Sequence, residues 1–148
     1  MLTLTSHYVL AALIYLVRNA NGQPIAGSQI ARHTKIPGKY LSTILRELVR
    51  AGVLDSTRGK GGGFHMAKSP KKVRLLDAVS PFEPTLTGRV PCPFGNDECS
   101  DANPCLAHEQ WKKVNEAKQR FLRNTSVYDV AIERGRASRN SKRRRAQP

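Results

Sequence analysis

The strongest constraint on this chain is one run, Gly27 to Met66, in which two short amphipathic segments lead directly into a glycine-rich, basic turn. Leu41, Ile44, Leu45, Leu48 and Val49 recur at the three-and-four spacing of a single helix face, which predicts a helix from Lys39 to Arg50. Ala51-Gly52 ends it, because glycine takes the left-handed conformation that closes a helix C-terminus. A shorter helix is expected from Gly27 to His33, with Thr34-Lys35-Ile36-Pro37-Gly38 as the tight link. Lys39, Ser42, Thr43, Arg46 and Arg50 fall away from the apolar stripe, so the second helix turns a cationic, hydroxyl-rich face outward. That is the layout of a helix-turn-helix whose second helix reaches phosphates and base edges in a major groove. Surface charges more often merely solvate an amphipathic helix, and this face alone does not decide between the two.

The next segment does. Val53 to Thr57 and Phe64 to Met66 read as strands flanking Arg58-Gly59-Lys60-Gly61-Gly62-Gly63, a flexible turn with cations at its tip. A basic hairpin placed directly after a recognition helix is a wing, and Arg58 is suited to the narrow minor groove, where negative potential concentrates. A nucleotide-binding loop is the rival reading, but neither G-x-x-x-x-G-K-[ST] nor G-x-G-x-x-G is satisfied. The expected duplex contacts are therefore Gly38, Lys39, Tyr40, Ser42, Thr43, Arg46 and Arg50 on the helix and Arg58, Gly59 and Lys60 on the wing.

A formal net charge of +14 agrees with a polyanionic partner without choosing between DNA, RNA and anionic lipid. The apolar run Tyr8 to Val17 is preceded by no Lys or Arg, lacks a cleavage site and is too short to span a bilayer. Val9, Ala12, Leu13, Leu16 and Val17 share one helix face, so it reads as core. The expectation is a cytoplasmic protein with no membrane partner, in which three cysteines serve metal or redox chemistry rather than disulfides.

Four segments are expected: a winged helix-turn-helix over residues 1–80, a cysteine-bearing loop over 81–104, a helix with its following segment over 105–132, and a disordered basic tail over 133–148. Lys71 to Val79 closes the first as a fourth helix. Pro81, Pro84, Pro91 and Pro93, with Gly88 and Gly95, then exclude regular structure to about Asn103. Cys92, Cys99 and Cys105 stand at C-x6-C-x5-C, and His108 follows three residues later. Asn103 is positioned to cap a helix with Pro104 at its first position, which places Cys105 in the first turn and on one face with His108. There the helix dipole favours a thiolate.

Three thiolates and an imidazole suit zinc or an iron–sulfur cluster, and gaps longer than the C-x2-C knuckle of most structural zinc sites favour the cluster. Burial as small apolar residues is the plain alternative for the cysteines, as a surface imidazole is for His108; the surrounding Pro93, Gly95, Asn96, Asp97 and Glu98 are not core formers. A helix from Leu106 to about Arg123 carries Ala107, Trp111, Val114, Ala117 and Phe121 on one stripe. Trp111, Val114 and Phe121 are the expected dimer surface, with packing against the first helix as the alternative. From Arg134 to Pro148 the sequence is arginine-rich and without apolar pattern, suited to salt-sensitive affinity for nucleic acid.

These residues together resemble the Rrf2 family of bacterial winged-helix transcription regulators, of the iron–sulfur type that includes IscR, NsrR and RirA. The likeness covers about residues 2 to 132 and rests on Leu2-Thr3, Tyr8, Ala12-Leu13-Ile14-Tyr15-Leu16, Tyr40 to Leu45, Arg50 to Leu54, Arg58-Gly59, Gly61 to Phe64 and the three cysteines. It implies a mainly α fold with a small β wing and a long C-terminal dimerisation helix. It also implies a homodimer on a palindromic operator in double-stranded DNA, with Arg58 in the minor groove and a 2Fe-2S or 4Fe-4S cluster on Cys92, Cys99 and Cys105. In IscR-like members the fourth ligand is a histidine at the position of His108; in NsrR-like members it is an acidic residue from the partner's first helix, where this chain has His7. His108 is the expected ligand, with His7 of the partner subunit as the alternative. The tail is not part of the resemblance.

The function expected is a DNA-binding regulator, a repressor, sensing nitric oxide, redox state or iron–sulfur status. A zinc-stabilised or cluster-free regulator is one alternative. A basic RNA-binding accessory protein is another. No nucleophile–base pair or carboxylate pair stands in a catalytic setting, so no enzyme is expected.

Overall fold

The computed structural model describes residues 2–87 and 91–132. Gly88 and the arginine-rich tail lie outside the described residues, and the expectations made for them are not addressed by the fold. The first helix, α1 (Leu4–Asn19), begins where the Thr3 hydroxyl accepts from the Ser6 amide. Its expected apolar face is core: Val9, Ala12, Leu13 and Leu16 are fully buried. The valine and leucine side chains contribute about 1.5–3 kcal/mol each when withdrawn from water.

Helices α2 (Gly27–Thr34) and α3 (Gly38–Arg50) follow the sequence reading to within a residue at each end. The link between them turns through Lys35 at φ 58°, a left-handed residue. Leu41, Ile44, Leu45 and Leu48 of α3 meet Ile30 of α2 and the face of α1 in one cluster. Strands β1 (Leu54–Thr57) and β2 (Gly63–Met66) pair antiparallel, Leu54 opposite Met66 and Thr57 opposite Gly63. Ile25, just before α2, exchanges both backbone hydrogen bonds with Phe64 at 2.9 and 2.8 Å, which fastens the wing to the helix pair. This approach requires glycine: a Cβ on Gly63 would sit 2.3 Å from the Ile25 carbonyl oxygen, and one on Gly62 would sit 2.2 Å from that of Thr57.

Two expected elements are shorter or different. The fourth helix, α4, spans Leu75–Val79 rather than starting at Lys71. Val73 and Arg74 are instead drawn into an extended pairing with the segment that follows the helix ending at Asn124, through Leu75 N–H to Thr125 O at 2.9 Å and Val127 N–H to Val73 O at 2.9 Å. The proline-rich loop is not wholly irregular either, since a 3-10 turn at Ser80–Phe82 and a short helix α5 (Pro84–Thr87) open it.

The long helix α6 (His108–Asn124) packs on α4, with Leu122 in the core. Residues 127–132 are again helical and return to the domain: Val127 and Ala131 are buried, and the Arg18 Nε donates to the Ala131 carbonyl at 2.7 Å. Among the described residues no helix is long and apolar enough to cross a membrane. The architecture is thus mainly α with a two-stranded antiparallel wing.

Candidate duplex interface and cysteine centre

All the residues expected to touch a duplex are exposed together on α3 and the wing. Gly38, Lys39, Tyr40, Ser42, Thr43, Arg46 and Arg50 line the outer face of α3, and Arg58, Gly59 and Lys60 form the exposed tip of the hairpin. The Arg50 guanidinium donates to Glu47 at 2.6 Å, an exposed pair of the weak kind. Tyr40 does more than face outward. Its hydroxyl hydrogen-bonds the Thr5 hydroxyl and its ring meets Tyr8 edge-on at 5.7 Å, so α3 is fastened to the start of α1.

The three cysteines are free thiols carried by the loop between α5 and α6. Cys92 is buried at 9% exposure, and its sulfur receives the backbone N–H groups of Asn96 and Phe94. Those amides, with a smaller contribution from the Cys105 thiol, hold the Cys92 thiol below its ordinary range against the opposing effect of burial. The turn that aims them passes through Gly95 at φ 108°, a conformation side chains rarely adopt. Cys105 lies against Cys92: burial pushes its thiol up, and the charge of Cys92 and of Cys99 adds to that. Cys99 Sγ stands 3.7 Å from Nδ1 of His108. The loop thus forms two pairs, Cys92 with Cys105 and Cys99 with His108, with Cys99 near enough for its charge to act on Cys105.

The route differs from the expected one. Helix α6 begins at His108, after Ala107, so Cys105 is not in a first turn and gains nothing from a helix dipole. Asn103 does not cap a helix because its backbone pairs with Ser100, its N–H reaching the Ser100 carbonyl at 3.3 Å, while its own carbonyl accepts from Asn96 Nδ2 at 2.7 Å. Cys105 and His108 are joined by a turn instead, the His108 N–H donating to the Cys105 carbonyl at 3.0 Å.

Asp101, Lys112, Phe94 and Glu83, which sequence reasoning gave no role, lie around these groups, together with Trp111, which was expected at a dimer surface. Asp101 Oδ1 is 2.8 Å from His108 Nε2, and Lys112 Nζ reaches both Asp101 oxygens at 2.8 and 2.9 Å. Lys112 and His108 are one helical turn apart, a signal the sequence did carry. Phe94 meets Trp111 edge-on at 5.7 Å, and the Trp111 Nε1 is buried with no hydrogen-bond partner among the described residues. Glu83, at the mouth of the loop, is 3% exposed and accepts from the Thr3 amide at 2.5 Å and the Ser6 hydroxyl at 2.6 Å. The loop is thereby anchored on the first turn of α1.

His7 is elsewhere. With Leu10, Ala11, Ile14, Leu75, Phe121 and Val130 it lines an open, mostly apolar groove of about 510 Å³ between α1 and α6. Of the expected dimer residues, Trp111 packs within its own chain on Phe94, whereas Val114 and Phe121 are each 55% exposed.

Comparison with known proteins converges on one family. The family described as Rrf2, iron-dependent transcriptional regulator, matches residues 2–133. A protein of Aquifex aeolicus named as an HTH-type transcriptional regulator is 32% identical over 128 residues, covering 85% of this chain and 88% of that protein. The HTH-type transcriptional regulator IscR of Aliivibrio salmonicida is 24% identical over 132 residues, 89% of this chain and 77% of that protein. Among solved structures, IscR of T. potens superposes with a TM-score of 0.73 at 20% identity, covering 93% of this chain and 90% of that one. CymR, the global cysteine regulator of B. subtilis, superposes with a TM-score of 0.71 at 22% identity, covering 90% and 97%. At these identities the structural likeness is one of fold, and its small wing and helical body are those described above. The family match spans nearly the whole described chain, and the chain belongs to the Rrf2 family of HTH-type, DNA-binding transcriptional regulators, which are not enzymes.

Proposed function

We propose that this regulator acts as a homodimer on a palindromic operator in double-stranded DNA and holds an iron–sulfur cluster, 2Fe-2S or 4Fe-4S, on Cys92, Cys99, Cys105 and His108, through which it senses nitric oxide, redox state or iron–sulfur status. The observation that carries this reading is that Cys105 lies against Cys92 and Cys99 lies against the buried imidazole of His108, all three thiols being free and carried by the loop that leads into α6. The donor set fits such a group: the Phe94 and Asn96 amides favour a thiolate at Cys92, and the buried Trp111 N–H lacks an acceptor among the described residues. When bound, the cluster supplies a redox- and nitric-oxide-sensitive tie between the thiolates, whose loss frees the loop.

The chain's own residues convert that into a DNA signal. Glu83 fixes the loop to the amide and hydroxyl at the start of α1, and Thr5 and Tyr8 of the same helix hold Tyr40 of α3. A change in the loop's position is passed through α1 to the recognition helix by contacts with few alternative arrangements. On the duplex, α3 places Lys39, Ser42, Thr43 and Arg46 at the major groove, while Arg58 enters the minor groove. Two copies related by a twofold axis present two recognition helices to two half-sites. The groove between α1 and α6, with Val114 and Phe121 beside it, is the apolar surface for the second copy. Binding as a repressor follows if the occupied form has the higher operator affinity and the operator overlaps a promoter.

A second reading has its own observation. Ligand atoms of Asp101, His108 and Glu109 lie within 4.8 Å of one another, a group suited to zinc. The two readings separate on anaerobic isolation of the protein. The cluster reading predicts a brown sample with visible absorption and matched iron and sulfide, both lost in Cys99→Ser. A colourless sample with stoichiometric zinc contradicts it.

A further inference from the structure

Both ring nitrogens of His108 are engaged although the side chain is only 5% exposed. Nε2 faces Asp101 Oδ1 at 2.8 Å and Nδ1 faces Cys99 Sγ at 3.7 Å. The state of the ring follows from the group behind Asp101. Lys112 places its ammonium within 2.8 and 2.9 Å of the two carboxylate oxygens, so Asp101 already accepts from a cation and has no proton of its own to give. The hydrogen shared between Asp101 and His108 must come from the ring. That puts the proton of the neutral imidazole on Nε2 and leaves the lone pair on Nδ1, the nitrogen turned toward the cysteines.

Building on the proposed cysteine-held cluster, we infer that Asp101, itself held by Lys112, is a positioning residue that locks His108 in the Nε2–H tautomer and makes Nδ1 the ligating atom. The arrangement is that of a metal-bound histidine whose remote N–H is tied to a carboxylate, which fixes ring orientation and raises basicity at the ligating nitrogen. The same geometry weighs against a cation held between Asp101 and His108 through Nε2. Such an ion would have to displace the proton at Nε2 and the Lys112 ammonium that reaches both Asp101 oxygens.

Two measurements on the full chain test this. The first needs no metal: long-range proton–nitrogen correlations of ¹⁵N-histidine-labelled, reduced, metal-free protein, recorded at alkaline pH, report which nitrogen carries the proton. His108 is expected as the Nε2–H tautomer in the wild-type chain, with that preference lost in Asp101→Ala and kept in Asp101→Glu. An Nδ1–H tautomer in the wild type, or an unchanged tautomer in Asp101→Ala, overturns the inference. The second is titration of the metal-free chain with cobalt(II), followed by thiolate-to-metal absorption bands. Asp101→Ala is expected to weaken binding about 10- to 100-fold, whereas Glu109→Gln leaves it unchanged. An equal loss in Glu109→Gln places the ion in the carboxylate group and overturns the assignment of Nδ1. Unchanged affinity in Asp101→Ala refutes the positioning role alone, while absence of thiolate bands in the wild-type chain refutes the cysteine centre and the ligand role together. Circular dichroism of each variant separates these outcomes from misfolding.

Discussion

Glu83 is a carboxylate at 3% exposure, and its partners are an amide and a hydroxyl from the far end of the sequence. Burial alone would drive its pKa up, yet the bonds from Ser6 and Thr3, with the charge of Lys118, hold it below the ordinary carboxylate value. A carboxyl lowered in the folded state contributes its full stability above its ordinary value and loses it as the pH falls through the lowered one. Glu83→Gln is therefore expected to destabilise the chain by about 1–3 kcal/mol at neutral pH in urea unfolding. The gap to the wild type should narrow as the pH drops below 4.5, the unperturbed value of a glutamate. A pH-independent difference would show that Glu83 acts through packing instead. This residue was not legible beforehand: it sits in a proline-rich loop, and its role rests on contacts 77 and 80 positions away in the chain. The spacing placed His108 near Cys105, which the structure achieves through a turn rather than a shared helix face, whereas Asp101 became meaningful only once the loop folded back on α6.

Among the elements, those whose signal is local were read correctly. The stripe of α3, the glycine that ends it and the Arg58–Gly63 turn each act within a few residues, so periodicity and turn chemistry sufficed. The start of α6 was misread because Asn103 had two local options. Capping a helix was one; the pairing with Ser100 and Asn96, which the cysteine loop imposes, took precedence. Likewise α4 was drawn too long because Val73 and Arg74 pair with a segment some fifty residues later, as the Arg74 Nη1 donating to the Asn124 carbonyl also attests. For the wing, the expected outcome of Arg58→Ala is a loss of about 1–3 kcal/mol in duplex affinity, measured by fluorescence anisotropy, with no change in visible absorption. Undiminished affinity would remove the wing from the interface.

At the scale of the whole molecule, the fold and the proposed duplex face follow from short-range pattern, while the proposed assembly depends on a surface whose partner would lie outside the chain. Val114 and Phe121 leave an apolar flank beside the α1–α6 groove, in a protein whose formal net charge of +14 otherwise favours separation of copies. Phe121→Asp is expected to give a folded monomer in sedimentation equilibrium, where the proposed function requires the wild-type chain to sediment as a dimer. A variant that still sediments as a dimer would move the interface elsewhere. The central claim is that the cysteine centre governs how tightly this dimer holds its duplex. The most direct measurement takes anaerobically isolated protein, selects a duplex from a random pool, and compares affinity for it before and after nitric oxide bleaches the visible spectrum. The account predicts a palindromic duplex and an affinity that falls about 5- to 150-fold on bleaching. A bleached protein that binds the same duplex with unchanged affinity would contradict it.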